Sequence, residues 1–474
     1  MIDRPTYAVN SGEGNVHVSI MGCGRVGLVT GCGLAHLGHH VFCIDGESDK
    51  IEKLKNGSLP FYEPHLEGLI QKAGKEGKLT FSFDPSDAIR NADVVFLCMD
   101  IPRSDDGDPE LSLLEGIARL IAAKASAGTV IVQRSTMPVQ TGKLLREMLS
   151  VYSRKKEAGF RVAVNPQFLR EGTAVQDFFH ADRVLLGVED PQSEQLLLDL
   201  YRPLVERTFR CPLHEVACST AKPEVVVTTV QSAELIKHSS NAYLAMKISY
   251  ANLIADLCDR VGGDVSDVAR AMGYDPRIGS AFLEPGLGFG GLRLPGDLRA
   301  LIQLAERLGV SAGLLNHVEQ INVRRVDAFL EKIRQALWIV KDKQIGVLGL
   351  SFKPDTDDTR SSPAISLIHK LSLEGAKVRA YDPKVPASAC KNDPQLVLGL
   401  NPYDVATGSE ALVIATAWSE FQQLDWGRVR ELMTRPLLLD ACNLLKPAEM
   451  RKIGFEYYSW GRPGPPIQET ALTS

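Results

Sequence analysis

The sequence predicts an α/β fold in which two Rossmann-like parallel-sheet domains are joined by a long central helix and a helical middle domain. Short apolar strands alternate with helical segments in residues 16–215 and again in residues 340–460. Such alternation is typical of βαβ units around a parallel sheet. Residues 225–335 show apolar side chains at helical spacing instead, with few glycines. A chain of 474 residues has room for roughly two to four domains.

In the first α/β stretch the predicted elements begin with a strand, a glycine-rich turn and a helix. The apolar strand over 16–21 runs into glycines, and a helix follows over 26–37. The next strand, 41–44, ends at Asp45. Further strands are predicted over 94–99, 129–133, 161–164 and 184–187, with a helix near 113–123.

The helical middle domain is predicted from about residue 225, because apolar residues recur at helical spacing as far as residue 271. The helical pattern continues over 301–308 and 318–337. Strands return over 345–350, 377–381, 412–415 and 437–439, with a helix over 363–373.

Both ends of the chain look different from the rest. Residues 1–15 are polar and lack the apolar core of a signal peptide, so we expect an N-terminal extension. Residues 461–474 begin Gly-Arg-Pro-Gly-Pro-Pro, which is too rich in glycine and proline for a packed element, so we expect a flexible tail.

The composition is that of an ordinary globular protein, with 44% hydrophobic and 23% charged residues. The net charge is −5 and no long basic run occurs, so neither nucleic acid nor a membrane is an expected partner. The nine cysteines show no CxxC pair and no spacing that we interpret as metal-binding. We therefore expect buried thiols, no metal and a reducing, cytoplasmic location.

A dinucleotide fingerprint follows the first strand. Residues 22–27 read Gly22-Cys23-Gly24-Arg25-Val26-Gly27, a GxGxxG between a predicted strand and a predicted helix. Such glycines let the backbone approach a pyrophosphate at the helix N-terminus, and Asp45 is placed to bind ribose hydroxyls. Nothing basic follows in 46–48, so we expect NAD rather than NADP. To the cofactor contacts we add Lys50, Pro102 and Thr136.

A second glycine-rich loop, 286–297, reads Gly-Leu-Gly-Phe-Gly-Gly-Leu-Arg-Leu-Pro-Gly-Asp. It resembles the active-site loop G-x-G-F-G-G-S-C-F-P-K-D of the UDP-glucose/GDP-mannose dehydrogenase family, in which the cysteine is the catalytic nucleophile. Arg293 stands at the cysteine position. An arginine stays charged in a protein and cannot act as a nucleophile.

Further motifs extend this resemblance over about residues 16–460. Each is a short run typical of the family, and residues 181–184 resemble its UDP-glucose branch. The runs are 60–64 (PFYEP), 135–139 (STMPV), 165–172 (NPQFLREG), 181–184 (ADRV), 234–237 (ELIK) with Asn241, 275–279 (DPRIG) and 352–360 (FKPDTDDTR).

The resemblance implies a four-electron oxidation of a nucleotide sugar at its hydroxymethyl carbon, with NAD as oxidant and a thioester intermediate. It implies an NAD-binding domain over 16–215, a dimerisation domain over 225–335 and a UDP-sugar-binding domain over 340–460. It also implies a homodimer or larger oligomer, with the sugar site between the α/β domains, and a role in polysaccharide synthesis.

The same resemblance supplies the expected site residues. The catalytic group is Lys237, Asn241, Asp297, Thr136, Glu171, Arg293 and Gln167. The sugar contacts are Phe168, Leu169, Arg170, Lys237, Asn241, Arg277, Phe289, Gly290, Phe352 and Lys353, of which Arg277 would reach the neighbouring subunit's sugar.

The sequence also departs from the family's pattern around the sugar. Besides Arg293, Gln167 replaces a glutamate, Gly296 a lysine and Cys442 an arginine, and Asp100 stands in the family's V-G-T-P run. A glutamine amide cannot act as a general base. Cys258 and Cys442 are poor substitutes for the missing thiol, because buried thiols are inert by default.

Three interpretations stay open at this point. The enzyme stops at the aldehyde or oxidises it slowly as its hydrate; an altered sugar needs no thioester; or the chain is a pseudoenzyme that binds NAD and a UDP-sugar as a partner or regulatory subunit. Arg293 is then either the product of drift or a new ligand for a phosphate or carboxylate.

Overall fold

The computed structural model describes residues 15–99, 111–153, 159–214, 218, 220–387 and 396–463. The chain forms two compact units, Met1–Leu235 and Ile236–Ser474. Among the described residues, no helix is both long enough and apolar enough to cross a membrane.

The first unit contains eight strands with helices between them. The strands are β1 His17–Met21, β2 His40–Ile44, β3 Leu79–Ser82, β4 Val94–Leu97, β5 Val130–Gln133, β6 Arg161–Val164, β7 Arg183–Gly187 and β8 Glu224–Thr228. The helices are α1 Arg25–His36, α2 Ser48–Lys55, α3 Leu66–Lys75, α4 Pro85–Arg90, α5 Leu111–Lys124, α6 Thr141–Tyr152, α7 Ala174–Phe179 and α8 Pro191–Glu206.

The eight strands form one sheet in the order β3-β2-β1-β4-β5-β6-β7-β8. Strands β4 and β5 are buried along their whole length, as expected for a parallel sheet covered on both faces. The strand order reverses between β1 and β4, and ligands of such sheets bind at this switch point, beyond the carboxyl ends of the strands.

Two features of this sheet differ from the prediction. Strand β7 meets β6 in an antiparallel bridge, so β7 and β8 run opposite to the other six strands. The helical pattern was expected from residue 225, but Glu224–Thr228 forms β8 beside β7. The reason is local: three consecutive valines favour a strand, and the helix begins only at Val230.

Helix α9, Val230–Val261, is 32 residues long and crosses the division between the units. The second unit continues with α10 Val265–Gly273, α11 Arg293–Arg307, α12 Gly313–Leu337, α13 Pro363–Leu373, α14 Pro402–Ala406, α15 Ser419–Gln422, α16 Trp426–Leu432 and α17 Pro447–Ile453. Its strands are β9 Gln344–Leu348, β10 Lys377–Tyr381, β11 Leu396–Leu398, β12 Ala411–Ile414, β13 Leu437–Asp440 and β14 Glu456–Tyr458.

These six strands form a parallel sheet in the order β11-β10-β9-β12-β13-β14, with its switch point between β9 and β12. The predicted fold class, two Rossmann-like sheets with a long central helix and a helical middle, is confirmed.

The start of the expected flexible tail is packed. Arg462 donates hydrogen bonds to the hydroxyl of Ser266 (2.9 Å) and to the carbonyl oxygens of Leu445 (2.8 Å) and Asn443 (3.1 Å). Gly461 has a φ of 56°, and a Cβ added to it would lie 2.7 Å from the Cα of Ala255. The expectation of a loose tail is therefore wrong for residues 461–463, because glycine permits this contact; residues 464–474 lie outside the described part.

Candidate active site

Two of the three fingerprint glycines meet a steric requirement within the protein, and the third leaves open space. Gly22 turns the chain at φ 100°, where a side chain would be strained. A Cβ on Gly27 would lie 1.8 Å from the carbonyl oxygen of Gly22, so this glycine allows α1 to pack against the loop. At Gly24, the N-cap of α1, a Cβ would meet nothing within 4 Å. The open space at a helix N-terminus suits a pyrophosphate, so these residues fit the dinucleotide; Val26 packs in the core behind them.

Asp45 lies at the end of β2, beside this loop. Its carboxylate accepts hydrogen bonds from the backbone N–H of Cys23 (2.8 Å) and of Glu47 (3.1 Å). Lys50 Nζ lies 3.2 Å from Asp45 and 2.7 Å from Glu47. A 2′-phosphate would therefore meet the carboxylates of Asp45 and Glu47 and the ammonium group of Lys50, rather than negative charge alone. The net charge of these three groups is negative and still disfavours a phosphate.

Arg25 connects the fingerprint to the PFYEP run. Its guanidinium lies 3.1 Å from the buried carboxylate of Glu63 and 4.7 Å from the centre of the Phe61 ring. Glu63 in turn accepts hydrogen bonds from the backbone N–H groups of Gly172 (2.9 Å) and Ala174 (2.8 Å). The side chain of Arg25 therefore positions the NPQFLREG run at the end of β6.

The NPQFLREG run is fixed mainly by buried polar contacts. Arg134 donates to the side-chain oxygen of Asn165 (2.5 Å), whose amide donates to the carbonyl oxygen of Leu185 (2.8 Å). Gln167 is buried, and its side-chain oxygen accepts the backbone N–H of Leu169 (2.7 Å). Glu171 is also buried, and Thr136 lies half-buried at the carboxyl end of β5.

Three of the expected sugar contacts in this run are engaged within the protein. The ring of Phe168 packs 3.8 Å below the guanidinium of Arg183. Leu169 is part of the hydrophobic core. Arg170 is exposed, and its guanidinium forms a bidentate ion pair with the carboxylate of Asp177, with a closest N···O distance of 2.6 Å. Any contact of Leu169 with a sugar would therefore use its backbone.

The second unit gathers the expected catalytic side chains of α9 and α11. Lys237, Asn241 and Asp297 are each at most 7% exposed. Asn241 lies one turn after Lys237 on the same face of α9 and donates its amide to Asp297 (2.5 Å). The ring of His238 approaches the other carboxylate oxygen of Asp297 at 3.4 Å. The helices thus bring together a buried ammonium, amide, imidazole and carboxylate.

His238 is the residue of this group that the sequence interpretation missed. It is 1% exposed and three residues before Asn241, so the two lie on one helix face. The sequence signal for His238 is its position directly after Lys237 and three residues before Asn241 on the predicted helix.

The glycine-rich loop 286–291 is fastened by side-chain amides from the helices around it. Asn252 accepts the backbone N–H of Gly286 (2.8 Å), and Asn322 accepts that of Phe289 (2.7 Å). A Cβ on Gly290 would lie 2.4 Å from the carbonyl oxygen of Ser361, so this glycine permits contact with the loop after β9. Phe289 itself is buried in the apolar core between α9 and α11.

The loop leads directly into α11, whose first residue is Arg293. The preceding residue, Leu292, makes no side-chain cap and the first turn contains no acidic residue. A cation is electrostatically unfavourable at a helix N-terminus, whereas an anion is favourable. The backbone N–H groups at the start of α11 therefore suit an anionic ligand.

The other expected sugar contacts lie at separate places in the second unit. Phe352 is half-buried and packs against Gly291, and the ammonium of the neighbouring Lys353 donates to the carbonyl oxygen of Pro354 (3.1 Å). Arg277 has a side chain that is 87% exposed and is paired with Asp275 at 2.6 Å. Of the expected cofactor contacts, Pro102 lies outside the described residues, as does Asp100.

The two alternative thiols are poorly suited to nucleophilic attack. Burial, reinforced by the charges of Asp259 and Asp264, raises the pKa of the Cys258 thiol. Burial and the neighbouring Asp440 raise the pKa of the Cys442 thiol well above its usual value. Since the thiolate is the reactive form, neither thiol is suited to act as a nucleophile.

A dinucleotide loop of this geometry on a doubly wound sheet, in a chain whose second unit buries a lysine and a hydrogen-bonded asparagine–aspartate pair, defines a nicotinamide-dependent dehydrogenase. Residues 16–205 match the NAD binding domain of the UDP-glucose/GDP-mannose dehydrogenase family, residues 231–324 its central domain and residues 346–447 its UDP binding domain. The chain belongs to this family, and its cofactor is NAD, as predicted.

Individual relatives cover almost the whole chain. The UDP-glucose 6-dehydrogenase of Rhizobium meliloti (strain 1021) is 40% identical over 450 residues, which is 94% of this chain and 99% of that protein. The UDP-glucose 6-dehydrogenase YwqF of Bacillus subtilis (strain 168) is 37% identical over 94% of this chain and 98% of its own length. The solved structure of a UDP-glucose dehydrogenase from Pyrobaculum islandicum superposes with a TM-score of 0.83 at 31% identity, covering 95% of this chain and 99% of that one.

Proposed function

We propose that this protein oxidises the C6 hydroxymethyl group of a UDP-glucose-like nucleotide sugar with NAD, and that the reaction stops at the aldehyde or slows strongly beyond it. The first part is supported by the family and by two UDP-glucose 6-dehydrogenases at 40% and 37% identity. The second part rests on Arg293 at the position of the family's cysteine.

The observation that carries the proposed oxidation is the buried group of Lys237, Asn241 and Asp297. Removing hydride from a primary alcohol requires a base for the hydroxyl proton and donors for the charge that develops on the oxygen. Lys237 and the second N–H of the Asn241 amide would hold that oxygen, because the first N–H already binds Asp297. Asp297 takes part in removing the proton.

When bound, NAD supplies the hydride acceptor. Residues 22–27 would hold its pyrophosphate at the N-terminus of α1, and Asp45 would accept hydrogen bonds from a ribose. Oxidation of the alcohol to an aldehyde would release one proton and one hydride, for which bound NAD would be the acceptor. The domain over 16–215 is assigned to this cofactor and the domain over 340–460 to the UDP-sugar.

The second oxidation lacks its usual covalent route here. Without a thiol at position 293 the aldehyde forms no thiohemiacetal, so only its hydrate can lose a second hydride and become a carboxylate. Gln167 offers no basicity for activating water. The first oxidation therefore outpaces the second.

Arg293 compensates for positive charge missing at Gly296 and Cys442. Its planar fork can bind a phosphate or carboxylate with two parallel hydrogen bonds. Its place as the first residue of α11 adds the N–H groups of the helix N-terminus. The assigned role is to hold an anionic group of the nucleotide sugar.

The proposed active form is a homodimer. Helix α9 exposes an apolar stripe at coiled-coil-like spacing, formed by Tyr243, Tyr250, Leu253, Leu257 and Val261. An exposed apolar patch of this kind marks an interaction surface, and self-association would also bring the exposed Arg277 to a second subunit. The eight described free cysteines support a reducing, cytoplasmic location.

The direct test is to mix the purified protein with NAD and UDP-glucose, and in parallel with NADP, and to follow absorbance of the reduced cofactor. We expect reduction of NAD but not of NADP. A ligand-induced rise in melting temperature without any reduced cofactor, for UDP-glucose and for other UDP-sugars, would instead favour a pseudoenzyme.

A further inference from the structure

Four potential metal ligands converge in the first unit, outside the glycine-rich fingerprint 22–27. His180 follows α7 directly, whereas Cys211, His214 and Cys218 lie on the connection between α8 and β8. Their ligand atoms all lie within 4.8 Å of one another. We propose that these residues form a structural zinc site, called here the Cys2His2 cluster.

The distances within the Cys2His2 cluster suit one tetrahedral ion. His180 Nε2 lies 3.3 Å from Cys211 Sγ and 3.2 Å from Cys218 Sγ, and Cys211 Sγ lies 3.5 Å from His214 Nδ1. A tetrahedral zinc ion with Zn–N bonds of about 2.0 Å and Zn–S bonds of about 2.3 Å needs ligand atoms about 3.3–3.8 Å apart. Three of the six distances between ligand atoms are thus close to this range, and all six lie within 4.8 Å, so small side-chain shifts would complete a tetrahedral set.

The ligand chemistry selects zinc and a structural role. Two thiolates with two imidazoles form one of the standard structural zinc sets, in which protein atoms fill all four positions. Two thiolates also neutralise the charge of the ion. Cys211-x2-His214-x3-Cys218 places three of the ligands within eight residues, and His180 closes the set from α7.

The Cys2His2 cluster would fasten the long connection between α8 and β8. That connection already contacts the end of α7, since Arg207 donates hydrogen bonds to the carbonyl oxygens of Phe179 and Ala221. The rings of His180 and His214 stack with their centres 5.1 Å apart. Zinc would fix this arrangement behind α7, the helix that follows the NPQFLREG run.

The test uses the full-length, tag-free protein, purified with reductant and without chelator. Elemental analysis is expected to find one zinc ion per chain, as four protein ligands require. After removal of the metal, cobalt(II) is expected to bind with the same stoichiometry and to give thiolate charge-transfer bands and the intense visible bands of a tetrahedral ion. Re-added zinc should abolish these bands.

Two variants locate the metal. Cys211→Ser and His180→Ala should lose stoichiometric zinc and the tetrahedral cobalt spectrum, whereas Cys258→Ala, which removes a buried thiol elsewhere, should keep both. If either ligand variant does not fold, the cobalt titration of the unmodified protein decides alone. Absence of stoichiometric metal, an octahedral cobalt spectrum, or a Cys211–Cys218 disulfide in protein whose thiols were blocked at lysis would overturn the proposal.

Discussion

Lys237 and Arg293 are the two residues on which the chemistry depends most. Lys237 is 4% exposed, in the buried group that contains Asn241 and Asp297. Arg293 begins α11, at the end of the glycine-rich loop that resembles the family's active-site loop. In the proposed function, Lys237 supports the first oxidation, and Arg293 leaves the second oxidation without a covalent route.

Replacing Lys237 by alanine should reduce NADH formation by at least about a hundredfold, because a positioned donor or proton-transfer group contributes roughly 10²–10⁴ in rate. Steady-state rates with NAD and UDP-glucose measure the effect. Lys341→Ala, at an exposed position, is the matched control and should keep the original rate. A normal rate in the Lys237 variant would refute its assigned role.

Arg293→Cys tests the missing thiol directly. A cysteine as the first residue of α11 would have a lowered pKa, because thiolates are stabilised at helix N-termini. We expect this change to raise the share of acid among the sugar products, as determined by mass spectrometry.

Gln167 decides how large that gain is. If the single variant changes nothing and Arg293→Cys with Gln167→Glu restores acid formation, both losses limit the second oxidation. If neither variant forms more acid than the unmodified protein, the thiol is not what limits it.

At the scale of the elements, the sequence predicts features that depend on neighbouring residues and does not predict those that depend on distant contacts. The fingerprint glycines and Asp45 could be placed from the sequence, because the steric demands of a strand–turn–helix are local. The sequence does not predict strand β8, because its valines come directly before a long helix. Its pairing with β7 joins residues that are far apart in the chain, so local sequence does not indicate it. The packing of Arg462 likewise depends on distant carbonyl groups.

The candidate site shows the same division. Lys237 and Asn241 share a helix face, which their spacing predicts, whereas the position of Asp297 beside them depends on how α11 packs. The spacing of Cys211 and Cys218 does not predict a metal site, because His180 comes from another element and completes their cluster only in three dimensions.

The steric role of Gly27 gives a prediction for α1. In Gly27→Ala the new Cβ would clash with the carbonyl oxygen of Gly22, so we expect a loss of about 1–3 kcal/mol in the free energy of unfolding, a typical range for overpacking. The rise in melting temperature on adding NAD should also shrink. Denaturant unfolding and thermal shift measure the two effects.

The control is Gly68→Ala in α3, where a Cβ meets nothing within 4 Å. Alanine in a helix interior is favoured over glycine by about 1 kcal/mol, so this variant should be equally or more stable and should bind NAD normally. Equal behaviour of the two variants would contradict the packing argument.

At the scale of the whole molecule, the apolar stripe on α9 predicts self-association. Leu257→Glu places a carboxylate in the middle of the stripe, and we expect it to shift the molar mass measured by light scattering from dimer towards monomer. Leu400→Glu, at another exposed leucine outside the stripe, should remain dimeric. A monomeric unmodified protein, or a dimer that Leu257→Glu does not weaken, would rule out this interface.

The most direct test of the account is the ratio of NADH formed to UDP-glucose consumed, measured together with the mass of the sugar product. With Arg293 in the loop that resembles the family's active-site loop, and with Lys237 buried in the unit where Asn241 binds Asp297, we expect one NADH per sugar and an aldehyde in the early phase of the reaction. Two NADH per sugar with a uronic acid product, formed without any lag, would show that the thiol is dispensable and would contradict the central claim.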